Sequence, residues 1–580
     1  MNKSALLASL ISLLLMIASP SSVLQTAEAA TLHHWQLYKN GEAHLRQGKL
    51  KQAIAELEQA VSQSEQAGYL RKLAEAYEQS KQYQKAADTY YREARIHKVL
   101  SEQSGDLNTY YAVLAKADAL NTEIEVYVES PATQGTAGAA STVTGGRKLA
   151  KFEPPSGMYI GAYIDKDSHM VKLGDDKFKA FNKLAGKQHA IYFTYHRYGS
   201  PFPYHWAEQV GQAGGAIQLA FQPDNGLDEV KDGPYLRQFA RDAKAAGVPV
   251  FLRFASEMNG NWVKWNGNPQ QYIQTFRLVA KVMREEADNI AMVWSPAANP
   301  KPTIQAYYPG DEWVDWVGLS IYSVKYFNGK LGNPADQVNP LDSLDEVYQT
   351  YAARKPIMVS EYAATHYSKA GDTSTLYFAQ TKMNMLYHGA KLKYPRLKAI
   401  SWFSLNTLTD SHRAERSLNN FSLTENDKVL AAYSKLIADP YYLSSVLPAS
   451  AARPSTNSSG SSATAESDTS RQPSAGQSAA SAAWTAGIVQ RDYPYTLRRL
   501  TATKLEQPST VIVWVKTYDP YISKVVIKLN GKLALSRQQY PYSFKLDPSK
   551  LPAGDQKLEV IVFDSKGVEA SRRSFTLRTG

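Results

Sequence analysis

Between residues 151 and 445, short apolar runs rich in β-branched side chains alternate with longer stretches in which apolar positions recur every three or four residues. The runs begin near Met158, Ala190, Ala216, Val248, Ile290, Trp316, Pro356 and Ala399. The clearest amphipathic stretches between them are residues 234–247, 269–288 and 373–393. Eight strands alternating with helices over roughly 290 residues predict a (β/α)8 barrel, the TIM-barrel architecture. In that fold the chemistry sits where strands end, so the residues closing each run are the ones to read.

The flanking regions carry different periods. Residues 30–129 read as helices with a repeat of 33, which aligns Ala43 with Ala76, Leu50 with Tyr83, Ala53 with Ala86, and Leu57 with Tyr90. Small residues at fixed places let paired helices stack closely, and this pattern resembles tetratricopeptide repeats. Two repeats are few for a solenoid, so a further helical pair or the barrel is expected to cap them. Such repeats would serve as a protein-binding groove or as a stalk. Residues 488–580 carry β-rich runs at 511–515, 524–529 and 558–563, with a hairpin signal at Asn530-Gly531. This spacing resembles an immunoglobulin-like all-β sandwich. The chain is therefore expected to be multidomain: an α-helical repeat region, the barrel and the sandwich. Segments poor in apolar residues at 130–150 and 446–487 read as linkers.

The start of the chain has the form of an export signal over residues 1–29. Lys3 is followed by an apolar run from Ala5 to Ala18 and by a small-x-small site at Ala27-Glu28-Ala29. That run is too short to span a bilayer comfortably, so the expectation is a secreted protein, extracellular or wall-associated, with no membrane span once processed. The 580 residues include no cysteine, which excludes disulfides, thiolate metal sites and a catalytic thiol. The formal net charge is +11. From residue 488 onward there are 16 Lys and Arg against 8 Asp and Glu, so +8 of it lies in the last module. Outside a cell, a basic module suits an anionic wall polymer, while scattered solvated charge is the simpler account. No nucleic-acid motif, no nucleotide loop and no metal constellation is present, so neither cofactor nor metal is expected.

Two strand ends carry carboxylates. The fourth run, Val248 to Phe254, exits into Ala255-Ser256-Glu257, and the seventh, from Pro356, exits at Glu361. Strands four and seven lie on opposite sides of an eight-stranded barrel, so the two glutamates can face one another. Glycoside hydrolysis needs such a pair, one group to protonate the leaving oxygen and one to attack or assist at the anomeric carbon. The alternatives are a buried ion pair with Arg253, a surface cap, or the remnant of a dead site.

The segment Arg253-Phe-Ala-Ser-Glu-Met-Asn-Gly-Asn-Trp262 resembles the acid/base segment of glycoside hydrolase family 26. Segments at 309–322, 355–361 and 399–403 follow in that family's order. The resemblance implies a retaining hydrolase of β-linked polysaccharide (β-mannan, β-glucan or bacterial exopolysaccharide), with Glu257 as acid/base and Glu361 as nucleophile. Around them Tyr322 is expected to hydrogen-bond Glu361, Trp402 to stack under the sugar, and Trp262 and Trp265 to line neighbouring subsites or hold their loop. Arg253 is expected to orient a glutamate, with Asn259 and Gln222 among the sugar-binding residues. Mannan-cleaving members usually carry histidines where this chain has Ser256 and Gln222, which leaves the sugar open. A carbohydrate-binding or polysaccharide-assembly scaffold using the same cleft is the competing reading.

Overall fold

The computed structural model describes residues 32–132, 148–410, 414–446, 493–501 and 504–580. The expected export signal and most of both expected linkers lie outside these residues.

Five helices open the structure: α1 (His34–Arg46), α2 (Leu50–Gln63), α3 (Ala67–Gln79), α4 (Tyr83–Ser104) and α5 (Asn108–Leu120). The 33-residue period is visible directly, since α3 and α4 begin 33 residues after α1 and α2. Small residues sit where the helices touch. A Cβ added at Gly41 would lie 2.7 Å from Leu57 Cγ, and Ala53, Ala60, Ala76 and Ala86 are fully buried. Capping is done by a single helix and the barrel. Val113 and Ala117 of α5 join the repeat core, and Tyr111 of α5 hydrogen-bonds Glu346 of the barrel.

The barrel strands are β2 (Met158–Tyr163), β3 (Ile191–Arg197), β4 (Ala216–Gln222), β5 (Val250–Phe254), β6 (Ile290–Trp294), β7 (Trp316–Ser323), β8 (Ile357–Ala364) and β9 (Leu397–Phe403). All pair in parallel in chain order, and β9 returns to β2 to close the sheet. Around them pack α6 (Lys177–Ala185), α7 (Tyr204–Gln212), α8 (Pro234–Ala245), α9 (Pro269–Glu286), α10 (Pro340–Tyr351), α11 (Leu376–Lys393) and α12 (Asp427–Ile437). Their starts follow from local chemistry. Asn268, Asn339 and Asn426 each accept a backbone N–H of the first turn, and α8, α9 and α10 open on proline, whose missing N–H costs nothing there. After β6 there are only two short 3-10 turns, at Lys301–Thr303 and Gln305–Tyr307.

One expectation needs correction. The helical region does not extend to residue 129: Glu123–Pro131 is a strand, β1. Its alternation, with Ile124, Val126 and Val128 on one face, is a period of two that a helix cannot use. β1 lies between β10 (Tyr495–Arg499) and β11 (Ser509–Lys516) in a sheet that ends on β14 (Tyr542–Leu546). The facing sheet holds β12 (Lys524–Leu529), β13 (Lys532–Arg537), β15 (Gly554–Phe563) and β16 (Glu569–Thr579). Asn530 and Gly531, both at positive φ, make the β12–β13 hairpin as expected.

The sandwich is therefore built from both ends of the chain and does not hang free. Ile124, Val126 and Val128 meet Val513, Val560 and Leu577 inside it. Tyr127, Ile512 and Trp514 on the opposite face join the barrel's own core. Around that apolar contact, Lys516 holds both oxygens of Asp342 at 2.8 Å, and Lys391 reaches Glu129 and Asp439 at 2.6 Å each.

Residues 488–580 expressed alone lack an interior strand and are expected to show no cooperative unfolding by circular dichroism. Fusing residues 121–132 to them should restore a melting transition.

Candidate active site

β5 and β8 place the two glutamates at the same end of the barrel. In β8 the pairing slips by one residue, because Leu319 pairs with Val359 but Ser320 with Glu361. This bulge directs both Ser360 and Glu361 inward, a common device beside active sites. Beneath them is a layer of small side chains: Ser295 Oγ lies 3.0 Å from Ser360 Oγ, and a Cβ at Gly318 would fall 2.3 Å from Ser360 Oγ. Arg253, on β5, has no solvent exposure.

Glu361 is 3% exposed and accepts three side-chain hydrogen bonds. Arg253 Nη1 donates to Oε1 at 2.6 Å, Tyr195 Oη to Oε1 at 2.8 Å, and Tyr322 Oη to Oε2 at 2.5 Å. Burial and the negative charge of Glu361 push the Tyr322 and Tyr195 hydroxyls well above their ordinary range, so both remain donors.

Glu257 sits in a tight turn after β5. Ala255 and Glu257 have φ of 44° and 59°, a conformation costly for residues with a Cβ and found disproportionately at functional sites. The turn is held from several sides. Glu257 N donates to Ser295 O at 2.8 Å, and Trp265 Nε1 donates to Ser256 O at 2.8 Å. Asn259 accepts from Ala297 N and donates to Ala297 O and Pro300 O. The carboxyl of Glu257 accepts from Trp262 Nε1 at 2.8 Å. Burial, then the charge of Glu361, raises its pKa above the usual carboxylate value. The two carboxyl groups thus sit in different surroundings, Glu361 among three donors and Glu257 raised by burial and by its neighbour's charge.

Both glutamates open onto a cleft of about 1290 Å³ that also takes in Trp262, Trp265, Tyr322 and Gln222. Trp262 is 45% exposed at its mouth; Gly260 makes room for its ring, since a Cβ there would lie 2.2 Å from Cζ2. Trp265 is buried and mainly secures the loop. Two expected sugar contacts are corrected. Asn259 is buried and spends its amide on clamping the loop to the residues after β6. Trp402 is fully buried behind the sheet, donates to Phe421 O at 3.0 Å and packs edge-on against Tyr362. Neighbouring residues of a strand face opposite ways, so Phe403 takes the cleft position and stacks on Tyr163 at 5.0 Å. Tyr195, Tyr163 and Phe403 were missed by reading the sequence. Their signal was an aromatic residue near the end of β3, β2 and β9 alike.

Residues 231–338 match the family model described as glycosyl hydrolase family 26, a span that contains Arg253, Glu257 and Tyr322. Over that span the barrel resembles glycoside hydrolase family 26. Its relatives include Endoglucanase H of Acetivibrio thermocellus, 24% identical over 305 residues, covering 49% of this chain and 30% of that protein. Beta-1,3-xylanase TXYA of a Vibrio species is 36% identical over 129 residues, 21% of this chain and 25% of its own. A mannan endo-1,4-beta-mannosidase of Bacillus subtilis is 31% identical over 107 residues, 17% and 28% of the two chains. The chain spans no more than 30% of the length of these curated relatives.

Tyr322→Phe removes one of the three donors on Glu361 and is expected to lower kcat about 10- to 100-fold, the equivalent of a hydrogen bond to a charged group, with the melting temperature nearly unchanged. Trp402→Ala should do the reverse, costing about 3–5 kcal/mol of stability as a cavity in a core. Paired kinetics and thermal melts distinguish the two roles.

Proposed function

We propose that this chain is an exported retaining glycoside hydrolase that cuts β-linked polysaccharide internally, with Glu361 as nucleophile and Glu257 as acid/base. The observation that carries the reading is the electrostatic split in one cleft: Glu361 bonded to Arg253, Tyr195 and Tyr322, and Glu257 with its pKa raised by burial. In the first step Glu361 attacks the anomeric carbon while Glu257 gives its proton to the departing glycosidic oxygen. A covalent glycosyl ester and a shortened chain result. In the second step the ionised Glu257 takes a proton from water, the hydroxide attacks the ester, and the sugar leaves with its original anomeric configuration. Arg253 and the two tyrosines aim the nucleophile.

A cleft of about 1290 Å³ lined by both glutamates together with Trp262 and Phe403 supports action within a chain. Relatives named as an endoglucanase, a β-1,3-xylanase and a mannan endo-1,4-β-mannosidase support a β-linked glycan. Ser256 and Gln222, both at the cleft, replace the histidines usual in mannan-cleaving members, so a different set of sugar hydroxyls is satisfied. A hydroxyl left unpaired against a buried group costs about 1–3 kcal/mol, enough to move preference away from mannan.

Reducing-end release is the direct test, using β-mannan, β-1,3- and β-1,4-glucans, β-1,3-xylan and bacterial exopolysaccharides. At least one polymer should be cut by the wild type and by neither Glu257→Gln nor Glu361→Gln, with the initial product in the β configuration by NMR. No cleavage of any polymer by a folded protein, or an α product, would overturn the proposal.

The pH dependence has a definite sign. Glu257 must be protonated for the first step, so activity falls as pH rises through its pKa, and the upward shift extends activity to higher pH. On an aryl glycoside with a good leaving group, Glu257→Gln is expected to abolish this alkaline limb in single-turnover kinetics.

A further inference from the structure

A second groove, of about 600 Å³, runs along the seam between barrel and sandwich and shares no residue with the catalytic cleft. One wall is a stripe of α11. Tyr377, Gln380, Asn384 and His388 follow at spacings of three and four, which puts them on one face over about 16 Å. A helix face turned toward a packed domain is ordinarily apolar, and the neighbouring faces of α11 are: Met383, Leu386 and Ala390 are buried in the barrel core. This stripe instead lines the groove with polar groups, Asn384, His388 and Gln380, the last of which donates to Lys428 O at 3.2 Å.

The groove has the three elements that a sugar chain calls for. The first is aromatic surface: Tyr377 is 53% exposed and is held flat by stacking on Tyr521 at 5.1 Å. Such a ring presents a face to the apolar side of a pyranose. The second is neutral hydrogen-bonding groups on both walls. Asn384 faces Gln538 and Gln539 of the sandwich, and none of the three has a side-chain partner among the described residues. His388 lies on Tyr540 at 5.1 Å. Burial, then the charge of Lys391, lowers its pKa to about 4, so it is neutral and both accepts and donates. The third is positive charge without a counter-ion. Lys428 and Lys435, on the groove face of α12, make no ion pair among the described residues, whereas Lys391 is already committed to Glu129 and Asp439.

We propose that this seam groove is a second glycan-binding site, separate from the catalytic cleft, that holds a polysaccharide strand bearing carboxylate groups. β14 and the turn before it form one wall, which is neutral, and the positive charge comes from the barrel helices opposite. Both walls exist only because the sandwich is docked on the barrel. The first turn of α11 lies at the catalytic end of the barrel, so a strand held along this helix runs toward the face on which the cleft opens. The inference stands whether or not the cleft is hydrolytic.

Native affinity electrophoresis of the full-length chain tests it, in a Glu361→Gln background so that any cleavage is excluded. Polygalacturonate, a uronic-acid polymer, is the probe and glucomannan the neutral control. Polygalacturonate should retard the protein more strongly than glucomannan. The apparent affinity should fall at least tenfold in Lys428→Glu/Lys435→Glu and in Tyr377→Ala/Asn384→Ala, with thermal midpoints matching the parent. Absence of retardation by polygalacturonate would overturn the proposal, as would retardation that neither pair of substitutions weakens. Weakening by the lysine pair alone would also overturn it, because that result describes charge attraction without a built site. Gln538→Ala/Gln539→Ala, on the opposite wall and exposed, supplies a pair that cannot perturb the barrel helices and should weaken binding in the same direction.

Discussion

Arg253 is buried inside the barrel and its charge is met by Glu361 at 2.6 Å. Burying an ion pair is expensive, and removing either partner leaves an uncompensated charge worth about 3–5 kcal/mol. Much of the surrounding architecture follows from that constraint. β8 bulges so that Glu361 turns inward to meet it. Tyr195 and Tyr322 complete the carboxylate's hydrogen bonds, since a buried anion satisfied on only one oxygen would be poorly stabilised. Burial, and after it the same negative charge, raises the pKa of Glu257.

A second constraint acts on the molecule's outline. β1 lies in sequence between the helical repeats and the barrel but folds into the sandwich, between strands that follow the barrel. The chain therefore leaves the sandwich, builds the barrel, and returns to the sandwich. Tyr127 and Trp514 pack into the barrel core on the outer face of that sheet, while Ile124 and Val513 pack inside it. A sheet buried on both faces cannot be a tethered module that swings on a linker. Its docking brings polar residues of α11 and α12 opposite those of the sandwich and creates a groove that neither domain has alone.

The helical repeats are tied in by the same logic. α5 closes their apolar end and passes the chain to β1 within three residues. Tyr111 of α5 bonds Glu346 of α10. Repeats, barrel and sandwich therefore share contacts through the short stretch from residue 108 to residue 131.

Local pattern was enough to read the eight barrel strands, the repeat period, the Asn530-Gly531 hairpin and the two glutamates, because each depends on residues adjacent in the chain or on a period of two or 3.6. Even β1 was legible in the alternation of Ile124, Val126 and Val128, although its helical neighbours obscured it. Three things were decided by tertiary structure alone. Which of Trp402 and Phe403 faces the cleft depends on how a strand is set in the closed sheet, and a one-residue difference reverses the answer. The partnership of Tyr195 with Glu361 joins residues 166 positions apart. The assignment of β1 to the sandwich depends on pairing with strands more than 360 residues away, which no local periodicity encodes. Sequence neighbours determine the conformation a segment prefers, whereas the partner it buries against is fixed only when all the apolar faces are closed together.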